Sequence, residues 1–490
     1  MNPLEAPPVP ADDYYLRKRR RRKIALAAVV VLVAAGLALL NQVMRRQVPV
    51  DYANDADHFK YGSIGSDVKD AIPYWIWRVM PDVCPDKLPG GYPSLGVVLE
   101  PGMDRPIGFS KRRTGLFDGV GPNCALCHTA TVRESPTSAR LVYLGAPAHQ
   151  LNLWGYFNFL FQCGSDPRFT PDNVLSAIQT QTRVGPLDAF VYRRAVSELR
   201  TALIQRSRAF DWIARRPLWG PGRVDTFNPY KTLLFNVDMS RDDSIGTADF
   251  MAIWNQGSMD GLFMHWDGNN RSVDERNLSA AMGAGAKPDT LDFKRIDRIR
   301  GWIWTLPPPA YPFEIDYDKA ARGRQVYWGK GQCAGCHDLK GEAIGQVIPL
   351  KYLGTDVERA QAFDDAMAAR MNTLGKGYPW QFKNFRVTNG YVNHPLDGIW
   401  LRAPYLHNGS VPTLRHLLEP PDKRPEVFYK GNDVYDKANV GFVSDQTGSR
   451  GVAFFEFDTK LRGNHRTGHL YGVGLTTEEK NALVEYMKTL

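Results

Sequence analysis

The chain has little net charge outside its first residues, no nucleic-acid-binding motif and few cysteines. The formal charge is +9, but residues 1–23 contribute +4 of it, through seven basic side chains at 17–23 set against Glu5, Asp12 and Asp13. The remaining +5 is spread over the rest of the chain. No basic stripe or recognition motif accompanies it, so no nucleic acid is expected as a partner. A disordered chain is also excluded, because aromatics reach 11% and the sequence is rich in the glycine and proline of loops.

Four of the six cysteines fall in two boxes, Cys124-Ala125-Leu126-Cys127-His128 and Cys333-Ala334-Gly335-Cys336-His337. Two thiols three positions apart can take up the two vinyl groups of one haem as thioethers, and the adjoining His then offers its imidazole to the iron. A redox dithiol or a single four-thiolate zinc site also uses Cys-x-x-Cys. Neither needs a His directly after the second Cys, and neither box sits in a βαβ pattern. The boxes therefore predict two covalently bound haem c groups, held by Cys124, Cys127, Cys333 and Cys336, with His128 and His337 on the irons. Cys84 and Cys163 remain open to two readings, one disulfide in an oxidising compartment or two separate buried thiols.

Residues 24–40 form an unbroken apolar run, about 26 Å long as a helix, preceded by the basic cluster at 17–23. A cleaved signal peptide is the rival reading, but Asn41-Gln42-Val43-Met44 offers no small-x-small cleavage site. The expected organisation is a cytoplasmic basic stub at 1–23 and a single-pass transmembrane anchor at 24–42. The positive-inside rule then puts the bulk of the chain in the periplasm, on the bacterial inner membrane.

The proline run at 307–309 reads as a stiff linker, giving a first haem domain at 50–306 and a second, cytochrome c-like one at 313–490. Helical periodicity is clear at 171–216 and 292–306, and Thr476-Thr477-Glu478-Glu479 reads as a capping box before a last helix. The expected fold class is mainly α: two cytochrome c-like haem domains with extensive loops, preceded by a single transmembrane helix. For the far side of the first iron the candidates are His149, Met264 and His265, or an open sixth position. Glu134, six positions past His128, is a catalytic candidate by proximity, as is His149. Trp266 reads either as an electron path between haems or as an indole filling a gap.

The order of helix, Cys-x-x-Cys-His, loops and final helix resembles a class I cytochrome c domain, whose two terminal helices cross at a small residue packed by an aromatic. Gly323 and Tyr486 stand at suitable places. The stretch Leu401-Arg402-Ala403-Pro404-Tyr405-Leu406-His407-Asn408-Gly409-Ser410-Val411-Pro412-Thr413-Leu414, with Gly354-Thr355-Asp356 before it and Gly463-Asn464-His465-Arg466-Thr467-Gly468-His469 after it, resembles the bacterial di-haem cytochrome c peroxidase superfamily. Its rubber-oxygenase-like branch is the nearest in pattern. That resemblance implies one reactive haem and one six-coordinate electron-transfer haem. It also implies a late His as sixth ligand of the second iron, which makes His469 the choice over His407. No Met lies between His407 and the last helix to play that role. His407 and Arg402 are then expected near a haem propionate. The chain is shorter than the rubber-oxygenase type, and no residue matches the distal glutamate of the peroxidase type.

The expected function is a redox enzyme of the peroxidase or oxygenase type, taking peroxide or dioxygen at the first haem. Electrons would come from a redox partner protein or a quinol-linked donor. The alternative is a pure di-haem electron carrier. A haem-based sensor is the less favoured third reading, since a 23-residue cytoplasmic stub is too small to carry an output domain.

Overall fold

The computed structural model describes residues 11–338, 340–449 and 451–490; the first ten residues of the expected cytoplasmic stub lie outside them. The chain opens with a helix at Ala11–Arg45, within which Tyr14–Val43 is long and apolar enough to cross a membrane by length and composition. Arg46 alone separates it from a strand at Gln47–Pro49. That strand pairs with Phe109–Thr114, which pairs with Phe117–Pro122, which pairs with Ile72–Pro73, making one antiparallel four-stranded sheet.

Among the described residues six further two-stranded ladders occur, including Thr129–Val132 with Leu141–Leu144 and Val427–Lys430 with Phe455–Asp458. At 41% helix and 13% strand the fold is mixed α/β, which corrects the expectation of a mainly α protein. The cause is strand length. Ladders of two to six residues leave too short a period-two run to read, and Thr129–Val132 is buried on both faces, so it does not alternate.

One apolar core joins the helices Tyr74–Val83, Leu153–Ser165, Pro171–Gln181 and Pro186–Ala209. A disulfide between Cys84 and Cys163 ties the end of the first of these to the second. A second core gathers Phe59, Ile296 and Ile299 with Phe363, Met367 and Phe382. A third gathers Ala130 and Trp254 with Trp400, Tyr435 and Leu483. These two cores draw on chain from both sides of the prolines at 307–309. So does a buried ion pair in which Asp433 binds Arg133 and also accepts from the Thr131 hydroxyl at 3.0 Å.

The helices Tyr317–Trp328 and Thr477–Met487 cross at Gly323, where a Cβ would lie 1.9 Å from the Ala482 carbonyl oxygen and 2.8 Å from Cβ of Tyr486. Only glycine admits that approach. Tyr327 and Tyr486 pack edge to face beside it, ring centres 5.2 Å apart. The final helix starts at a capping box, in which the Thr476 hydroxyl accepts from Glu479 N and the Glu479 carboxylate accepts from Thr476 N.

Candidate functional site

The first box begins where Asn123 caps a single helical turn at Cys124–Cys127, its side-chain oxygen accepting from Ala125 N at 3.0 Å. The Asn123 amide donates to the Gly62 carbonyl at 2.9 Å, fixing the turn to the preceding loop. The segment at Gly108 also closes on the box: at φ +95°, a Cβ there would meet Leu126 Cα at 2.4 Å. His128 follows the turn, and its Nδ1–H donates to the Met251 carbonyl at 2.8 Å. A donor bond at Nδ1 sets the tautomer that leaves Nε2 free as a metal ligand.

The second box has the same device. His337 Nδ1–H donates to the His394 carbonyl at 3.3 Å, and the Tyr327 hydroxyl donates to the His337 carbonyl at 2.8 Å. Asn393 donates to the Cys336 carbonyl. Across from His337 lies His469, ring centres 6.5 Å apart at an interplanar angle of 39°. His337 and His469 would be the two residues to hold one haem iron between them.

His469 is held by backbone. Its φ is +51°, its N–H donates to the Leu353 carbonyl at 2.9 Å, and a Cβ on the preceding Gly468 would meet Thr355 N at 2.3 Å. Its Nδ1 is buried without a protein partner, an orphan that a bound group would relieve. The three stretches that carried the resemblance meet here. Asp356 pairs with His465 at 3.0 Å, and Asn408 and Ser410 each donate to the His465 carbonyl at 3.1 Å.

The four box thiols are free. Burial pushes Cys124 and Cys333 up to about 11 and Cys127 to about 12, so they are protonated and unlike the low-pKa thiol of a redox pair. Among the described residues no three His, Cys, Asp or Glu side chains gather as a metal cluster, so the boxes do not combine into one four-thiolate zinc centre. Burial lowers His128 and His469 to about 3 and His337 to about 4, which keeps them neutral, as ligation requires. These imidazoles still keep some accessible surface. Thiol pairs and neutral, partly exposed imidazoles with one nitrogen spare fit a c-type haem at each box.

The other candidates fall as follows. His149 is buried, donates from Nε2 to the Thr131 carbonyl at 2.9 Å and stacks on Phe442 with ring centres 3.4 Å apart. Glu134 is on the surface, 60% exposed, paired with Lys437 at 2.9 Å. Met264 is buried in a β-bridge to Asn270. Arg402 donates to the Pro395 carbonyl at 2.7 Å and pairs with Asp397, yet its Nε has no partner and its charge acts on His337. His407 is buried, stacks on Tyr391 at 4.0 Å and lies in the field of Arg359 and Arg223. Trp266 packs edge to face on His394, ring centres 5.5 Å apart, and its indole N–H donates to the Asp249 carbonyl at 2.8 Å.

Sequence reasoning missed His394 and Arg276. The His394 ring donates from Nε2 to the carbonyl of His265 at 3.2 Å while its own carbonyl orients His337. Arg276 acts by charge on His128, His265 and His394, lowering each. Arg276 acts only through its charge, and the His394 carbonyl that orients His337 leaves no trace in the sequence.

Residues 390–429, the stretch holding His394, Arg402 and His407, match the model of a RoxA-like, cytochrome c-like family. The chain is 33% identical to an uncharacterized protein of Sinorhizobium fredii, y4iM, over 45% of this chain and 56% of the relative. It is 28% identical to a second, y4iJ, over 55% of this chain and 60% of the relative. The chain thus spans less than two thirds of the length of either. The family-model match suggests a cytochrome c-type haem protein and supports a rubber-oxygenase-like relationship at that coarse level; both relatives are uncharacterized.

Proposed function

We propose that the protein is a membrane-anchored di-haem c-type cytochrome of the periplasm that works as a redox enzyme of the peroxidase or oxygenase type. The reactive haem belongs to Cys124, Cys127 and His128, and the electron-transfer haem to Cys333, Cys336, His337 and His469. The observation carrying this reading is the unequal supply of imidazoles. His469 faces His337 at 6.5 Å, while among the described residues no ring faces His128 in that way. When bound, a c-type haem supplies one-electron redox chemistry and, where an axial position is open, a place for peroxide or dioxygen to react.

The chain's own residues prepare that chemistry. The Met251 and His394 carbonyls hold His128 and His337 in the ligating tautomer. Arg276 adds a positive field beside the first box, which favours anions there. His394 and Trp266 lie in contact beside the second box, and a redox partner protein or quinol-linked donor delivers electrons there.

Electron paramagnetic resonance of the oxidised protein tests the reading. One high-spin and one low-spin ferric signal are expected, with peroxide altering the high-spin one. Two low-spin signals, inert to peroxide in the oxidised and half-reduced states, would instead establish the electron-carrier alternative. His469→Ala is expected to convert the low-spin signal to high spin; an unchanged signal removes His469 from the ligand set.

A further inference from the structure

His128 and His337 are each oriented through Nδ1, bonded to a backbone carbonyl. His469 is not, because its Nδ1 has no protein partner. Whatever aims that ring acts through its backbone. The His469 N–H donates to the Leu353 carbonyl at 2.9 Å, and the His469 carbonyl accepts from Arg424 Nη2 at 3.2 Å. Gly468 sits at φ +75° and His469 at φ +51°, and a residue with a side chain keeps that conformation only where its surroundings hold it.

Arg424 is buried and closes a short turn at Pro421–Lys423, whose first residue has its φ fixed by the proline ring. Leu414 and Leu418, just before the turn, are set in the third core with Leu475 and Leu483. From this fixed base the guanidinium reaches the loop at 466–469. It carries five N–H donors in one rigid plane. Nε donates to the Glu419 carbonyl at 2.9 Å. Nη1 donates to the carbonyls of Arg466 at 2.6 Å and Gly468 at 2.9 Å, and Nη2 to those of His469 at 3.2 Å and Leu417 at 3.3 Å. All five bonds end on backbone carbonyls, three of them in the loop that ends at His469. Among the described residues no carboxylate pairs with Arg424, and the neighbouring charge that bears on it is Arg466, of like sign. Burial lowers its pKa only to about 10, so it stays charged at neutral pH. Burying an uncompensated cation is costly, so a side chain needed merely to fill this space would be apolar.

We propose that Arg424 is the positioning residue for His469, a clamp whose fork holds the carbonyls of Arg466, Gly468 and His469 and so presents the imidazole to the second iron. It does for His469, through the backbone, what the Met251 and His394 carbonyls do for His128 and His337 through the ring. The inference rests on His469 being the sixth ligand there. Without the clamp, His469 leaves the iron in part of the molecules and opens a position to an added ligand.

The test uses the full haem-loaded chain with Arg424→Lys, Arg424→Met and, as a control, Arg415→Met. Arg415 lies on the same segment but pairs with Glu419 and donates to Asn481 Oδ1 at 3.2 Å, away from 466–469. Electron paramagnetic resonance counts high-spin haems in the oxidised protein, and carbon monoxide titration of the reduced protein counts open iron positions. Arg424→Met is expected to add up to one of each per chain over the parent. Arg424→Lys is expected to fall between, because it keeps the charge and three donors but not the fork. Arg415→Met is expected to match the parent. Parental counts in both Arg424 variants, while His469→Ala adds one of each, overturn the clamp alone. Parental counts in His469→Ala as well overturn the ligand assignment and the clamp with it. Equal rises in the Arg415 and Arg424 variants overturn the clamp in favour of general loosening. The unsubstituted protein gives a reading that does not depend on any variant folding. Its His469 amide is expected to exchange hydrogen slowly, and exchange at the rate of free chain overturns the clamp.

Discussion

Gly323→Ala puts the crossing of the two terminal helices to the test. The new Cβ would stand 1.9 Å from the Ala482 carbonyl oxygen, 2.5 Å from its carbon and 2.8 Å from Cβ of Tyr486. Two of these are backbone atoms and the third is fixed to backbone, so no side-chain rotation relieves the overlap. The helices must part, and the overpacking cost belongs near the top of its usual range, about 3 kcal/mol. Alanine returns about 1 kcal/mol of helix propensity over glycine. The net expectation is a destabilisation of about 2 kcal/mol. Gly301→Ala is the matched control: it too is helical, within Phe293–Thr305, and a Cβ there meets nothing within 4 Å. Freed of any clash, it is expected to stabilise by up to about 1 kcal/mol. Guanidinium unfolding followed by far-ultraviolet circular dichroism compares the two variants with the parent. Shifts of the same sign for both would refute the close-crossing argument, since propensity alone would then govern each site.

Two further outcomes follow from the covalent and electrostatic ties of the first region. Replacing both Cys84 and Cys163 by Ala opens a loop spanning 79 residues, a loss of about 4–5 kcal/mol in the chain-entropy model; unfolding midpoints of the double variant check it. The Asp166 carboxylate accepts from Arg168 N and Nε, both at 2.8 Å, and from Nη2 at 2.7 Å, bonds that hold its pKa below the ordinary carboxylate range. A folded-state pKa below the unfolded value means the contribution is full above about pH 4 and is lost as the pH falls further. Asp166→Asn should therefore flatten the acid limb of the stability–pH curve, and limbs that run parallel in variant and parent would count against it.

The two Cys-x-x-Cys-His boxes, the apolar run at 24–40, the Thr476–Glu479 cap and the pairing of Gly323 with Tyr486 were all legible in the sequence. The boxes, the apolar run and the cap depend on residues that are contiguous or at fixed helical spacing, so that information is local; the Gly323–Tyr486 pairing joins distant helices and came through the resemblance to a class I cytochrome c domain. The strands were not legible, because ladders of two to six residues draw their stability from partners far along the chain rather than from their own periodicity. Nor was the Cys84–Cys163 bond, which joins residues 79 apart and depends on how two helices pack.

The setting of the candidate site divides in the same way. Sequence alone singled out the thiols and adjoining imidazoles that are the candidates to take haem. Only the tertiary structure decided that the carbonyls of Met251 and His394 orient His128 and His337, that His394 lies against Trp266, and that Glu134 is spent on a surface pair with Lys437. It also brought His469 to 6.5 Å from His337, through a left-handed backbone turn locked by Gly468. The physical reason is that ligand identity is a property of side chains, whereas ligand orientation comes from backbone carbonyls and long-range packing, which any sequence with the same fold can supply.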